Sequence, residues 1–380
     1  MAVPSDIDRR SRIAILSTYP PTQCGLATFS AALREYMGPQ VDVIRVIDQP
    51  AGRPGPEVVT HLVNGSPTSM AAAVQRLNSY DAVIVQHEYG IYGGPDGCEV
   101  VDLVDRLKVP TIVVLHTVLE RPTTRQREIL QSLIHAADAV ITMTTTAQHR
   151  VIDLYDADPA SVTTIPHGAV DHRRQAVRRA TGARPLVLTW GLLGPGKGIE
   201  WAIDALPGLR DLNPRYLVLG ATHPRVLERQ GDVYRDSLAR RAAELGVSDL
   251  FELDASYLPG SRLFDIVASA DLVLLPYDSR EQVTSGVLIE AVAAGRPVVS
   301  TAFPHAVEML TQGAGLLVPQ GDSVALGAAV RRVLTEPDLA RSMAARARVQ
   351  APELFWGAVA DRYHQLAADL GATALAPAVA

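Results

Sequence analysis

A glycine-rich turn that carries one lysine is the stretch of this sequence whose residue types most directly suggest chemistry. Residues 188–209, LTWGLLGPGKGIEWAIDALPGL, begin as a buried strand and end as an amphipathic helix; Gly191 opens the turn between them and Lys197 lies near its end. Glycine lets the backbone approach a ligand, and a helix N-terminus offers unpaired N–H groups at the positive end of its dipole. The pattern predicts an anion site, although a solvated lysine in an ordinary turn would have the same sequence.

A second candidate site lies in residues 275–301, LPYDSREQVTSGVLIEAVAAGRPVVST. Thr284 or Ser285 can cap a helix that starts near Gly286, and the first turn of that helix again presents free N–H groups to an anion. Glu290 lies about one turn inside the same helix. Its carboxylate could therefore accept a hydrogen bond from a bound hydroxyl group.

Taken together, the two turns predict a site for a nucleoside diphosphate sugar. Lys197 and the two helix N-termini would hold the diphosphate, and Glu290 would hold the ribose. Gly25, in the loop STYPPTQCGLATFS, could bring another backbone N–H to a phosphate, and simple turn chemistry explains this glycine equally well. The same loop lacks the G-x-G-x-x-G spacing of a dinucleotide site, which disfavours a nicotinamide enzyme.

Loops in the first half of the chain predict contacts with an acceptor. Polar and aromatic residues crowd into the glycine-rich segment QHEYGIYGGPDG, residues 86–97: they are His87, Glu88, Tyr89 and Tyr92. Such groups suit carbohydrate hydroxyls and ring faces. The alternative is ordinary packing of the tyrosines beside a solvated Glu88.

Two further histidines follow predicted strands. His116, in TIVVLHTV, is either a satisfied structural imidazole or a group that faces the cleft, and its position at a strand end favours the second interpretation. His167, in TIPHGAVD, is a weaker candidate of the same kind and could simply cap a hinge.

The elements that must position these residues are short β-branched strands alternating with helical patterns. Predicted strands occupy residues 12–17, 41–46, 81–86, 111–116 and 138–143, and then 186–191, 216–220, 250–254, 271–276, 296–301 and 315–319. Continuous apolar strands separated by helices predict parallel sheets covered on both faces. In such sheets ligands bind beyond the carboxyl ends of the strands, where the loops described above lie.

The spacing predicts an α/β protein with two doubly wound domains and a crossing C-terminal helix. The predicted domains are residues 1–170, which would bind the acceptor, and residues 171–353, which would bind the nucleotide sugar. Residues 354–380 would form a helix that crosses back to the first domain, followed by a frayed tail, ATALAPAVA. The arginine-rich segment DHRRQAVRR, residues 171–179, is interpreted as a solvated linker in preference to a patch for anionic lipid.

Composition excludes several other classes of protein. The net charge of −6 gives no basis for nucleic-acid binding, and the two cysteines, Cys24 and Cys98, lack the clustered spacing of a metal site. No stretch is long and apolar enough to predict a membrane span, so membrane contact would be at most peripheral and has no support in the sequence. The polar start, MAVPSDIDRR, predicts no secretory signal and hence a cytoplasmic protein.

The order of these motifs resembles that of the retaining glycosyltransferases of family 4, which have the two-domain GT-B fold with Rossmann-like domains facing across a cleft. The resemblance runs over nearly the whole chain, through YPPTQCGLATF, HTVLERPTTRQREIL, IPHGAVD, GLLGPGKGIE and EQVTSGVLIEAVAAGRPVVST. It implies that Lys197 contacts the donor diphosphate, that His116 lies beside the donor sugar, and that Glu290 binds the ribose.

The sequence departs from the family pattern at two positions. Gln282 stands eight residues before Glu290, where the family usually has a glutamate near the transferred sugar, and Glu281 beside it could substitute. Leu192 stands where an arginine usually follows the first glycine of the turn. The missing cation could come from one of three other arginines, Arg280, Arg225 or Arg121.

The resemblance implies transfer of a hexose to a hydroxyl acceptor, such as a carbohydrate, with retention at the anomeric carbon and without a cofactor or dedicated metal. Mannose from GDP-mannose is the first expectation, and glucose from a uracil or adenine nucleotide follows closely. Two alternatives stay open: a nucleotide-sugar 2-epimerase of the same fold, and a glycan-binding or nucleotide-binding protein without turnover, which the departures at Gln282 and Leu192 motivate.

Overall fold

The chain forms two compact α/β units in a computed structural model that describes residues 12–53, 55–172, 183–256, 258 and 260–375. The first unit comprises the described residues of Met1–Pro166 and Trp356–Ala380, and the second comprises those of His167–Phe355. Residues 173–179 of the arginine-rich segment lie outside the described residues, so its interpretation as a linker stays a prediction.

The first unit is built on a parallel sheet that has seven strands in the described residues, in the order β3-β2-β1-β4-β5-β6-β7. Its strands are β1 (Ile13–Ser17), β2 (Val41–Ile47), β3 (Val58–Val63), β4 (Ala82–His87), β5 (Thr111–Leu115), β6 (Ala139–Thr142) and β7 (Val162–Thr164). Its helices are α1 (Gly25–Met37), α2 (Pro67–Leu77), α3 (Glu99–Val104), α4 (Thr124–Ala136), α5 (Thr145–Tyr155) and the C-terminal α14 (Trp356–Leu375).

The second unit repeats this design with six strands among the residues described, in the order β10-β9-β8-β11-β12-β13. Its strands are β8 (Leu186–Trp190), β9 (Arg215–Leu219), β10 (Phe251–Asp254), β11 (Leu272–Leu275), β12 (Val298–Thr301) and β13 (Gly315–Val318). Its helices are α6 (Ile199–Ala205), α7 (Pro224–Gln230), α8 (Val233–Glu244), α9 (Gly260–Ser269), α10 (Gly286–Ala293), α11 (Pro304–Leu310), α12 (Ser323–Thr335) and α13 (Pro337–Leu354).

The central strands of each sheet are largely apolar because the sheet is covered on both faces. Leu188 and Trp190 of β8 pack into one hydrophobic cluster, whereas Val187 packs into a second cluster on the opposite face. Side chains that alternate between two buried faces leave no polar stripe in the strand. This arrangement explains the continuous apolar runs that predicted parallel sheets.

Strand order places the candidate loops together. In each sheet the strand order reverses at the first strand of the unit. β1 therefore pairs with both β2 and β4, and β8 pairs with both β9 and β11. Such a reversal creates a crevice at the carboxyl ends of the two neighbouring strands. The loops after β8 and β11, which carry Lys197 and the residues before α10, meet at this point of the second unit.

The C-terminal helix begins two residues later than the sequence pattern predicts. α13 ends at Leu354, Phe355 is extended with φ −71° and ψ 141°, and α14 starts at Trp356. α14 packs against α1, and His364 Nε2 donates a hydrogen bond to the carbonyl oxygen of Met37 at 2.8 Å. The helix continues to Leu375, so the segment predicted to fray is helical as far as it is described.

Candidate active site

The glycine-rich turn after β8 is held in shape by close backbone contacts. Gly198 precedes α6 with φ +62°, and a Cβ atom at this position would lie 1.9 Å from the carbonyl oxygen of Pro276. Gly191 has φ +118°, and its carbonyl oxygen lies against Gly220, where a Cβ atom would approach it to 1.9 Å. Only glycine fits at Gly198 and Gly220. The turn is therefore packed directly on the loop that follows β11.

Lys197 lies at the junction of these two loops. Its Nζ atom is 4.4 Å from the centre of the Tyr277 ring, which is a favourable cation–π distance. The backbone N–H of Asp278 donates to the carbonyl oxygen of Gly196 at 2.9 Å, and this bond ties the loop after β11 to the turn. Tyr277 and the inter-loop hydrogen bond thus fix where the Lys197 charge lies.

A cleft of about 430 Å³ opens beside Lys197. It brings together several residues that the sequence predicted separately: its lining is Pro195, Gly196, Lys197, Asp278, Ser279, Arg280, Glu281 and Gln282. Arg280 is exposed there and can supply the cation that Leu192 lacks. Arg225 is exposed on α7, and Arg121 is exposed in the first unit. Of the three arginines considered, Arg280 is the one that lines this cleft.

Ser285 caps α10, which settles the choice between Thr284 and Ser285. The Ser285 Oγ atom accepts a hydrogen bond from the Leu288 N–H at 3.3 Å. The Thr284 Oγ1 atom is buried and has no hydrogen-bond partner among the described residues. First-turn N–H groups of a helix have no acceptor within the helix itself. The N-terminus of α10 therefore offers those of Gly286 and Val287 to a ligand.

Gln282 is fastened to the same loop. Its side-chain Nε2 atom donates to the backbone carbonyl oxygen of Thr284 at 3.1 Å. Its backbone carbonyl oxygen accepts from the backbone N–H of His305 at 3.4 Å. These bonds hold the side-chain amide at the edge of the cleft, next to Glu281. The position that departs from the family pattern is thus ordered and polar.

Glu290 is paired with a tryptophan on the neighbouring strand. The Trp190 Nε1–H group donates to Glu290 Oε2 at 3.1 Å, and Trp190 itself is buried. Burial raises the pKa of Glu290 to about 7, and the hydrogen bond from Trp190 opposes this rise. The carboxyl group therefore changes charge near neutral pH, and Trp190 engages one of its two oxygens.

His167 lies on the N-terminal turn of α10. A Cβ atom added at Gly286 would be 2.7 Å from His167 Nε2, and His167 Nδ1 donates to the carbonyl oxygen of Gly168 at 2.7 Å. Burial lowers the pKa of His167 to about 4, although the bond to Gly168 opposes this shift. The neutral ring therefore packs where only glycine leaves space for it.

His116 of the first unit is oriented by two side chains. Its Nε2 atom lies 2.7 Å from Gln86 Oε1, so the imidazole donates its Nε2–H to the amide oxygen. Phe29 contacts the ring edge-on, with 4.9 Å between ring centres. His116 is only partly buried, whereas Gln86 is fully buried. The ring is thus held in one orientation beside the carboxyl ends of β4 and β5.

Three of the four residues in the predicted acceptor set, His87, Tyr89 and Tyr92, lie in the core of the first unit. His87 is 0% exposed at the end of β4, and burial lowers its pKa to about 4. Tyr92 is 5% exposed and donates its hydroxyl to the carbonyl oxygen of Gln86 at 2.8 Å. Tyr89 is 8% exposed, and its hydroxyl donates to the carbonyl oxygen of Gln126 at 3.2 Å. In this conformation both tyrosines are packed in the core, which is the alternative that the sequence left open for them.

Two other predicted residues of the first unit are Glu88, from the acceptor set, and Gly25, which was predicted to bring a backbone N–H to a donor phosphate. Glu88 is partly buried and accepts a hydrogen bond from Thr117 Oγ1. Gly25 is the first residue of α1, capped by Cys24, whose Sγ atom accepts from the Ala27 N–H at 3.4 Å. Gly25 has no positive φ, and a Cβ atom there would meet nothing within 4 Å. Neither backbone conformation nor packing requires glycine at this position, so close approach of a ligand remains a reason for it.

Four residues that complete these sites were not predicted from the sequence: Gln86, Trp190, Tyr277 and His305. Each is a buried side chain whose role depends on a partner far away in the chain, for example Trp190 with Glu290. The position of Gln86 next to the candidate His87 was a usable signal. His305 and Tyr277 gave no such signal, since their periodicity is that of ordinary core residues.

No group of three or more His, Cys, Asp or Glu residues that could hold a metal ion occurs in the described ranges. Cys24 and Cys98 are both free thiols. None of the helices, within the part of the chain that the structure describes, is long and apolar enough to cross a bilayer.

Two doubly wound units, with a cleft lined by Lys197 and Arg280 at the switch point of the second, define the GT-B class of α/β glycosyltransferase folds. The family profile described as Glycosyltransferase Family 4 matches residues 26–173, and that described as Glycosyl transferases group 1 matches residues 184–336. The chain belongs to the family 4 glycosyltransferases.

Curated relatives support this membership. The chain is 31% identical over 308 residues to a D-inositol 3-phosphate glycosyltransferase of Saccharomonospora viridis, with 72% of this chain and 69% of the relative covered. It is 29% identical over 292 residues to the protein of the same name from Kineococcus radiotolerans, with 68% and 65% covered. The chain thus spans about two thirds of the length of these relatives.

Solved structures agree on the fold. The crystal structure of Anabaena HepE in complex with UDP has a TM-score of 0.75 and 16% sequence identity, and the match covers 94% of this chain and 100% of that one. At this level of identity the likeness concerns the fold alone.

Proposed function

We propose that this protein transfers a hexose from a nucleoside diphosphate sugar to a hydroxyl acceptor, with retention at the anomeric carbon. The observation that carries the proposal is the meeting of two loops at the switch point of the second unit. Lys197, Arg280 and Gln282 line one cleft there, and the capped N-terminus of α10 lies at the end of the same loop. Two cations and a helix N-terminus are the groups expected to bind a diphosphate.

In this proposal Lys197 and the N-terminus of α10 stabilise the leaving group. When the bond between the anomeric carbon and the phosphate oxygen breaks, negative charge accumulates on the departing nucleoside diphosphate. A fixed cation and oriented N–H groups stabilise that charge without reorganising. The acceptor oxygen attacks from the leaving-group side and forms the new bond, and its proton passes to the departing phosphate.

Glu290 is assigned to the ribose. Trp190 occupies Oε2, so the second carboxylate oxygen is the one that a ribose hydroxyl would approach. The ribose does not change during the reaction, and this contact therefore contributes to binding of both the donor and the transition state.

The acceptor is assigned to the first unit through Glu88, and His116 keeps the catalytic role that the family resemblance implies. Both are partly buried polar side chains that follow adjacent strands, His116 after β5 and Glu88 after β4. Loops beyond the carboxyl ends of neighbouring parallel strands are the usual place for a ligand in this kind of sheet. A carbohydrate or another polyhydroxyl compound matches the hydrogen-bonding capacity of these groups.

Two donors are proposed in order. GDP-mannose comes first, from the family resemblance. UDP-glucose comes second, and a crystal structure of Anabaena HepE, whose fold is similar to that of this chain, is a complex with UDP-glucose. The reaction is proposed to need no cofactor and no metal of its own, since Lys197, Arg280 and α10 can supply the positive charge at the diphosphate.

The proposal is tested by thermal unfolding with GDP, UDP and ADP, followed by incubation with the matching nucleotide sugars. A nucleotide that binds only the native protein raises its melting temperature. Stabilisation together with transfer to an added polyol or sugar would support the proposal. Isomerisation of the donor without an acceptor would identify a 2-epimerase, binding without turnover would identify a binding protein, and the absence of both would contradict the assigned site.

A further inference from the structure

A buried histidine outside the predicted site holds the loop that leads into α10. His305 is 1% exposed and lies in the first turn of α11. Its Nδ1 atom accepts a hydrogen bond from the backbone N–H of Ser285 at 2.8 Å. Its own backbone N–H lies 3.4 Å from the carbonyl oxygen of Gln282. One residue therefore fixes both ends of the loop Gln282–Ser285.

The bond to Ser285 specifies the state of the imidazole. Acceptance at Nδ1 requires a neutral ring with its proton on Nε2. Burial lowers the pKa of His305 to about 4; Glu308 opposes this shift and His167 adds to it. The ring is therefore neutral at physiological pH. Leaving a buried polar group without a partner is costly, so the Ser285 N–H depends on this acceptor.

The same bond decides which N–H groups of α10 face a ligand. His305 occupies the Ser285 N–H, and the Ser285 hydroxyl occupies the Leu288 N–H. The Gly286 and Val287 N–H groups remain, as far as the described residues go. The peptide group that joins Ser285 to Gly286 is planar. The orientation of Ser285 therefore sets the direction of the Gly286 N–H group and, through it, that of the next residue, Val287. His305 thus controls the geometry of the anion site without reaching it.

We propose that His305 is a positioning residue for the donor, which aims the Gly286 and Val287 N–H groups at the diphosphate through its hydrogen bond to Ser285. The inference rests on the proposed function, in which the donor diphosphate binds at the N-terminus of α10. It adds a residue on a separate helix, twenty positions further along the chain, to the determinants of donor affinity.

Three matched variants test this role. Asn Oδ1 takes nearly the position of His Nδ1, Gln places its oxygen near that of Nε2, and Leu fills the space without an acceptor. His305→Leu and His305→Gln are expected to raise the donor KM at least tenfold while kcat changes less than threefold. His305→Asn is expected to keep the donor KM within about threefold of the wild-type value. Donor KM is measured with GDP-mannose or UDP-glucose, and binding is measured separately with GDP and UDP.

The outcomes separate this inference from the function on which it rests. If wild-type protein binds its nucleotide and transfers sugar, but His305→Leu does the same with an unchanged KM, the positioning role is wrong and the proposed function stands. Equal losses in His305→Asn and His305→Leu would also overturn the role. If the wild-type protein binds neither GDP nor UDP and transfers neither sugar, the proposed function is wrong and the role of His305 is lost with it.

A measurement on the wild-type protein covers the case in which the variants fail to fold. The 15N chemical shifts of the His305 side chain should show a neutral ring protonated at Nε2 between pH 6 and pH 8. A ring protonated at Nδ1, or a charged imidazole in this range, would overturn the assignment whatever the activity of the variants.

Discussion

His116 and Gln86 form a direct side-chain pair, with 2.7 Å between His116 Nε2 and Gln86 Oε1. The amide oxygen can only accept, so it selects the imidazole tautomer that is protonated at Nε2. Gln86 is fully buried, and its backbone carbonyl is held in turn by the Tyr92 hydroxyl at 2.8 Å. A rigid core group thereby sets the orientation of the partly exposed ring that we assign to the reaction.

Gln86→Leu is expected to lower kcat about tenfold or more, because an unanchored His116 ring loses both its tautomer and its orientation. The donor KM should change much less, since the nucleotide is assigned to the second unit. Steady-state kinetics measure both parameters. Gln86→Glu keeps an acceptor at the same position and should retain more activity than Gln86→Leu; the opposite order would contradict the role of this pair.

Lys197→Ala is expected to lower kcat about 100-fold and also to raise the donor KM, because the charge acts most strongly on the departing diphosphate. The chain contains one other lysine, Lys108, which is exposed in the first unit. Lys108→Ala is therefore a matched control and should behave like the wild-type protein. A fully active Lys197→Ala enzyme would mean that the glycine-rich turn is not a phosphate site.

Donor affinity should fall as the medium becomes more acidic between pH 8 and pH 6. The pKa of Glu290 is raised to about 7, so its carboxylate is mostly ionised at pH 8 and mostly protonated at pH 6. If only the carboxylate accepts the ribose hydroxyl, the dissociation constant of the nucleotide sugar rises about tenfold over this range. Calorimetric titration with the intact nucleotide sugar measures it, because that ligand has no terminal phosphate that titrates near pH 6. Glu290→Gln should bind with an affinity that does not vary with pH.

Glu290 should also make the fold less stable at alkaline pH. Its folded-state pKa lies above its ordinary value of 4.5, so the folded protein favours the protonated carboxyl group. That contribution is complete below pH 4.5 and is lost as the pH rises through 7. Glu290→Gln removes the ionisation and should raise the free energy of unfolding at pH 8 by on the order of 1 to 3 kcal/mol, with little gain at pH 5. Urea unfolding at the two pH values checks this; an equal effect at both would contradict the assigned cause.

Transfer is expected to survive removal of divalent metal ions. The proposed charge stabilisation comes from Lys197, Arg280 and the N-terminus of α10. Activity after dialysis against EDTA should match that of the untreated enzyme with the same donor. Loss of transfer that magnesium or manganese restores would show that the diphosphate needs a cation that these groups do not provide.

The sequence by itself determined the fold class and located the two turns that meet at the Lys197 cleft. The apolar strands predicted two covered parallel sheets because strands buried on both faces lack polar alternation. Glycines and a lysine between a strand and a helix, and serine ahead of Gly286, marked the turns near the cleft because such turns depend on backbone conformation and capping, which are local properties.

Only the tertiary structure decided which side chains share an environment. Tyr92 and His87 stand in a loop-like sequence yet lie in the core, while Trp190 and Glu290 are a hundred positions apart and share a hydrogen bond. His305 reaches Ser285 only because β11 and β12 pair side by side, which brings the segments that follow them together. Burial and hydrogen-bond partners are set by packing between distant segments, and no local pattern encodes such packing.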